Sequence, residues 1–267
     1  MTTSPITSRL LGIGWCVLVP VAAVAVYLSL GTFAVLLIGE PTVATAVLDM
    51  LVVVLVGLMR IQRPRRLAHA PAPRPRPEIP RFGWTVLGCA VLAFLAGQSL
   101  ALWIYVTAGS AGFDASNQTR HAAGALATLL LTLVAAPVGE EALFRGLIYP
   151  LLRKRVGILA STLVTAVVFG PLHGNAVQFA LTLPLAVLLA LVCEHTRVLW
   201  PCVLLHLGFN LAAALVPAQA LGALANPVSA VSLCLAFAGW ALGLYLRVAG
   251  GTAPGAVQGA GDESAMQ

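Results

Sequence analysis

Charge is what this sequence has least of. Only 9% of its 267 residues are Asp, Glu, Lys or Arg, and 60% are hydrophobic; a soluble domain carries about 25% charged residues. A water-soluble globular domain is therefore excluded, and the chain reads as an integral membrane protein whose helices pack against one another in lipid. Cysteine is also sparse. The five, Cys16, Cys89, Cys193, Cys202 and Cys234, are scattered through apolar segments with no CxxC pair, so they read as small interior residues and give no disulfide framework. No GxSG element and no HExxH element is present, which leaves serine-type and zincin-type membrane proteolysis without support. No convincing repeat relates the two halves, as an inverted-repeat transporter would require.

The net charge of +6 could suggest nucleic acid, but the basic residues lie in loops between apolar runs. That is the pattern of membrane topology signals, and nucleic acid is not an expected partner. The apolar run after Arg9 is too long for a signal-peptide core and reads as a retained first span, Leu10 to Gly39, which Pro20 interrupts. A second runs from Pro41 to Met59 and contains Asp49, for which the sequence offers no partner; facing the bundle interior or a polar cavity is its expected role. Residues 60–81 hold seven Arg, six Pro and one Glu and read as an extended cytoplasmic linker. Phe82 to about Thr107 is a third span, followed by a polar loop from Gly109 to Arg120.

A fourth span leads from His121 towards Pro150 and ends at the basic stop Arg153-Lys154-Arg155. Val156 to Cys193 is 38 residues with no acid or base except His173, enough for two short helices turning near Gly170-Pro171-Leu172-His173-Gly174-Asn175. Glu194 and His195 read as a solvated turn. Pro217 and Asn226-Pro227 divide the remaining apolar run, Val198 to Leu246, into a seventh and an eighth span. The expected fold is thus an all-α polytopic membrane bundle of about eight helices with both termini cytoplasmic. It comprises an N-terminal hairpin (1–59), the Arg/Pro-rich linker (60–81), a transmembrane catalytic bundle (82–248) and a disordered tail (249–267). With the N-terminus inside, 13 of the 15 basic residues fall on the cytoplasmic side, as the positive-inside rule requires.

Against this background Gly139-Glu140-Glu141-Ala142-Leu143-Phe144-Arg145-Gly146 stands out. Each charged residue at the centre of a membrane helix opposes insertion by about 2.5–3.5 kcal/mol, so a segment that only had to span would not carry three. Intramembrane ionisable residues mark functional sites. Helical spacing puts Glu141 and Arg145 on one face, where they can neutralise each other, and turns Glu140 roughly 100° away. The other polar groups of the later spans are His173, four residues after Phe169, and His206, four before Asn210. Glu140 suits a general base, His173 a second proton carrier, and His206 with Asn210 the donors for an oxyanion. Counted at about 1.5 Å per residue from the cytoplasmic ends, Glu140 and His173 lie about 20 and 24 Å deep, but His206 and Asn210 only about 12–18 Å. Taken alone, His173 is an ordinary helix-end residue and His206 with Asn210 interhelical glue. Cys202 with His206 is also an i,i+4 pair, on its own weak evidence for a metal.

Together, Glu140-Glu141-x-x-x-Arg145, Phe169-x-x-x-His173 and His206-x-x-x-Asn210 resemble the CPBP family of CAAX-processing and bacteriocin-processing intramembrane proteases, also called Abi or Rce1-like. The likeness spans roughly residues 120–215. It implies an endopeptidase acting on a small membrane-associated or lipidated peptide at the lipid bilayer. In that scheme Glu140 and His173 activate water, His206 and Asn210 stabilise the oxyanion, and Glu141 and Arg145 support them. No cofactor is required; the alternative is a divalent metal such as zinc held by Glu140, His173 and His206. Two other function classes use the same residues, a proton-coupled transporter and a non-catalytic membrane immunity protein. An Ala/Val/Leu-rich composition with Arg far in excess of Lys suggests a bacterial cell membrane.

Overall fold

The computed structural model describes residues 5–67 and 79–250. Residues 68–78 of the expected linker and 251–267 of the expected tail lie outside the described residues. Every regular element among the described residues is helical, as a chain surrounded by lipid requires: with no water to bond to, each backbone amide and carbonyl must be satisfied within its own segment.

Helix α1 (Pro5–Ile38) turns at Gly39-Glu40 into α2 (Pro41–Gln62). Glu40 caps α2, its carboxylate accepting from the amides of Val43 and Thr42 at 2.6 and 3.0 Å. Those two bonds hold its carboxyl below the usual carboxylate range. The start of the expected linker is helical rather than extended, since α2 continues to Gln62 and Pro64–Leu67 forms the single turn α3. Helix α4 (Ile79–Ala108) follows. The segment expected as a polar loop after it is a helix, α5 (Ala111–Ala122), capped by the Ser110 hydroxyl accepting from the Phe113 amide at 3.1 Å. Asp114 in its first turn and Arg120 and His121 in its last suit the helix dipole, a signal outweighed in the sequence by polarity.

The next span is built of five pieces: α6 (Ala125–Leu130), a π-helical segment (Leu131–Ala135), α7 (Ala136–Glu141), a second π-helical segment (Ala142–Ile148) and α8 (Tyr149–Arg153). Then come α9 (Ile158–Phe169), a 3-10 turn (Gly170–His173), α10 (Ala176–Thr196), α11 (Trp200–Leu215), a 3-10 segment (Ala218–Leu224) and α12 (Pro227–Gly250). Among the described residues six helices are long and apolar enough to cross a membrane, and seven if α11 and the 3-10 segment bent 95° from it form one broken span. The expected fifth span, Ile158–His173, is a shorter apolar helix. The protein is thus an all-helical, multi-pass membrane bundle.

Helix α10 is the axis of the fold and packs most heavily on α4, which in turn packs on α12. Gly97 lets α4 and α10 approach closely, because a Cβ there would strike the Leu181 carbonyl. One core gathers Cys89, Leu185, Leu189, Cys193, Cys202 and Leu244 from these helices and α11. None of the cysteines among the described residues forms a disulfide, and those three are buried. A second core joins α1, α2, α9 and the span carrying the acidic motif.

The expected solvated turn at Glu194 is a correction. Glu194 is fully buried and accepts from Arg153 Nε at 2.9 Å, from the Tyr149 hydroxyl at 2.9 Å and from Arg197 at 2.5 Å. The reason is tertiary: Arg197 is a local partner three residues on, but Arg153 and Tyr149 come from a helix 41–45 residues away and draw the carboxylate inward. At that same end Arg247 donates to the Thr85 hydroxyl, Arg155 lies over the Trp15 ring and His195 stacks on Phe82.

Candidate active site

The acidic motif straddles the junction of α7 and the second π-helical segment. π-helical stretches occur mostly at functional sites because they re-aim side chains that a regular helix would present elsewhere. Glu141 and Arg145 pair at 2.8 Å, both fully buried. The guanidinium also donates to the Ala186 carbonyl of α10 at 2.8 Å and lies 5.3 Å from the Phe169 ring centroid. The same Glu141 Oε1 has a second partner, His206 Nδ1 at 3.0 Å. A carboxylate only accepts, so the proton lies on Nδ1 and the tautomer of His206 is set by Glu141. Spacing along one helix revealed the Arg145 pair but not this bridge to α11, which links residues 65 positions apart.

Glu140 points the other way, as its angular offset requires, and lies beside two imidazoles. Its Oε1 is 4.0 Å from His173 Nε2 and its Oε2 is 3.8 Å from His206 Nε2. His173 ends the 3-10 turn, with Nδ1 3.3 Å from the Phe169 carbonyl. Gly174 follows with φ of 74°, a left-handed conformation that glycine adopts without strain. Asn175 then caps α10, accepting from the Gln178 amide at 2.8 Å and donating to the His173 carbonyl at 3.1 Å. The turn holding His173 is thus clamped by a residue whose part the sequence did not reveal. Phe169 stands between the two histidines, 5.4 Å from the His173 ring and 5.9 Å from the His206 ring. One turn beyond His206, Asn210 donates to the Thr132 carbonyl at 2.8 Å. That carbonyl belongs to the first π-helical segment, where the altered ladder leaves it accessible to a side chain. One of the two amide hydrogens of Asn210 is therefore engaged.

Glu140, His173, His206 and Asn210 all line one open cavity of about 1460 Å³. The difference in depth expected from counting residues does not separate them, since the breaks at Gly170 and in the π-helical segments bring the four to a common cavity. Asp49 has the partner the sequence did not offer: the Tyr27 hydroxyl of α1 donates to it at 2.9 Å. It is fully buried against α7, where a Cβ on Gly139 would collide with its carboxyl.

The same geometry bears on whether Glu140, His173 and His206 could hold a metal. Ligand atoms on a tetrahedral zinc lie about 3.3 Å apart, closer than the 3.8 and 4.0 Å separations here. Among the described residues no group of three or more His, Cys, Asp or Glu side chains is arranged to hold a metal ion. As they stand, the three side chains do not fit one.

A carboxylate thus faces two imidazoles across an open cavity inside a multi-pass helical bundle. Residues 122–212 match the family model described as type II CAAX prenyl endopeptidase Rce1-like. That segment, about a third of the chain, carries Glu140, Glu141, Arg145, His173, His206 and Asn210 and is similar to the CAAX-type endopeptidases of the Rce1-like family. No curated protein and no solved structure matches the chain.

Proposed function

We propose that the protein is an endopeptidase that hydrolyses a peptide bond in a small membrane-associated or lipidated peptide, with Glu140 as general base. The observation that carries this reading is the pair of Glu140–imidazole separations, 4.0 and 3.8 Å. Both are too long for direct hydrogen bonds and suit groups bridged by one water. Glu140 takes a proton from that water with His173 as the second proton carrier; the oxygen adds to the scissile carbonyl carbon; the proton is then delivered to the departing amine. The developing oxyanion falls to the free amide hydrogen of Asn210 and to His206. Because Nδ1–H of His206 is committed to Glu141, donation from Nε2 requires the doubly protonated ring.

The test is cleavage of a peptide library by purified protein in detergent, with and without chelator. Cleavage that survives chelation and disappears in Glu140→Gln is expected. Cleavage lost on chelation and restored by zinc would transfer the chemistry to a metal, and transport without cleavage would overturn the reading. The membrane itself is proposed to be a bacterial cell membrane, with both termini in the cytoplasm.

A further inference from the structure

The lining of the large cavity extends to one end of the bundle, and that end is chemically distinct. Its outer lining comes from Pro41 and Thr42 at the start of α2, Tyr105 near the end of α4, α5, and Ala218 just beyond α11. These are the chain ends opposite those carrying Arg60 and Arg63, Arg153 to Arg155, Arg197 and Arg247, which converge at the other end of the bundle. The basic end is the one the positive-inside rule assigns to the cytoplasm. The catalytic cavity is therefore turned away from it.

One guanidinium stands at the mouth. Arg120 lines the cavity, is partly buried, and donates to Asn117 Oδ1 at 2.7 Å. Burial lowers its pKa, and no carboxylate among the described residues pairs with it. The other ionisable side chains lining this end are Asp114, whose carboxylate already accepts from the Tyr105 hydroxyl at 3.0 Å, and His121. A half-desolvated cation without a counter-ion, beside a cavity leading to a carboxylate and two imidazoles, is an anion subsite in search of its ligand. Its distance along the groove follows from the backbone. The Thr128 hydroxyl donates to the Arg120 carbonyl at 2.6 Å, so Arg120 lies level with Thr128. Twelve residues of helix separate Thr128 from Glu140, about 18 Å, and an extended peptide covers that in about five or six residues.

We propose that the cavity admits its peptide from the non-cytoplasmic side of the membrane, and that Arg120 binds a carboxylate of that peptide five or six residues from the scissile bond. The carboxylate is either the peptide's C-terminus or an acidic side chain. This rests on the endopeptidase reading for the meaning of "scissile bond", but neither sidedness nor binding requires turnover to measure.

Three measurements test it. In intact cells, a membrane-impermeant maleimide should label Ala115→Cys on α5 and leave Lys154→Cys unlabelled until the membrane is opened, with the parent chain as background. The reverse pattern overturns the sidedness. In the cleavage-dead Glu140→Gln protein, a fluorescent peptide with a free C-terminus should bind at least tenfold more tightly than its C-terminal amide if the terminus is the ligand. If an acidic side chain is the ligand, replacing that Asp by Asn should cost the same factor and amidation nothing. Indifference to both changes overturns the subsite, on a protein that carries no change at Arg120. Arg120→Gln should then abolish the acid preference and Arg120→Lys retain part of it. Failure of the unaltered protein to cleave any peptide, with labelling and binding as expected, would count against the endopeptidase reading and leave the subsite standing.

Discussion

Glu141 holds two partners with one oxygen, and that sharing decides what its loss would do. Glu141→Gln leaves Arg145 fully buried beside a neutral amide and replaces the acceptor-only carboxylate that sets the His206 tautomer by a group that can accept or donate. Stranding a buried charge costs about 3–5 kcal/mol, so thermal unfolding in detergent should show a marked loss of stability and the protein should accumulate poorly. Glu140→Gln is expected to behave differently: its carboxylate borders the cavity, so turnover should vanish with little change in the melting temperature. If Asn210 donates to the oxyanion, Asn210→Ala should lower kcat by about 10²–10³, or 2.7–4 kcal/mol, with KM nearly unchanged. Equal loss in kcat and accumulation would instead assign Asn210 to its bond with Thr132 alone.

At the scale of elements, the site depends on how closely α2 and α7 approach. Gly139 permits that approach because Asp49 occupies the space a side chain would need. Gly139→Ala is a small-to-large change against a buried acid, expected to cost about 1–3 kcal/mol. Because Glu140 is the next residue, activity should fall further than the lost stability explains, which activity per folded protein would measure. The Arg153–Glu194–Arg197 knot ties the end of α8 to α10 and the turn before α11. Glu194→Gln removes a fully buried carboxylate from two cations and should destabilise the fold by about 3 kcal/mol or more, without altering the pH profile of whatever activity remains. A changed profile would place Glu194 in the proton path.

For the whole molecule, the arrangement of basic residues at one end leads to a topology that reporter fusions can check. Fusions after Gln62 and after Gly112 should report opposite sides of the membrane, the first cytoplasmic. Matching sides would overturn the span order through α4. The first and last helices lie outside the segment matched by the family model, yet Tyr27 of α1 lines the cavity together with Glu140 and is bonded to Asp49 of α2. The flanking helices therefore contribute to the site's surroundings as well as to crossing the membrane.

Composition alone settled the environment, because a chain with so few charges can satisfy its backbone in lipid only as helices. The i,i+4 spacings marked Glu141 with Arg145 and His206 with Asn210, since a regular helix places such pairs on one face whatever surrounds it. What spacing could not give was convergence. The π-helical segments, the 3-10 turn before Gly174 and the clamp by Asn175 are breaks in periodicity, and residue counting assumes there are none. Helix α5 was hidden because its polarity reads as a loop, while its caps and dipole decide otherwise. Asp49 was left unpartnered because Tyr27 comes from another helix, and Glu194 was misplaced because Arg197, three residues on, needs Arg153 and Tyr149 of the acidic span beside it to bury the carboxylate. The chain's own periodicity determined which residues share a face; only the packing of α1, α2, α9, α10 and α11 around the acidic span decided which faces meet.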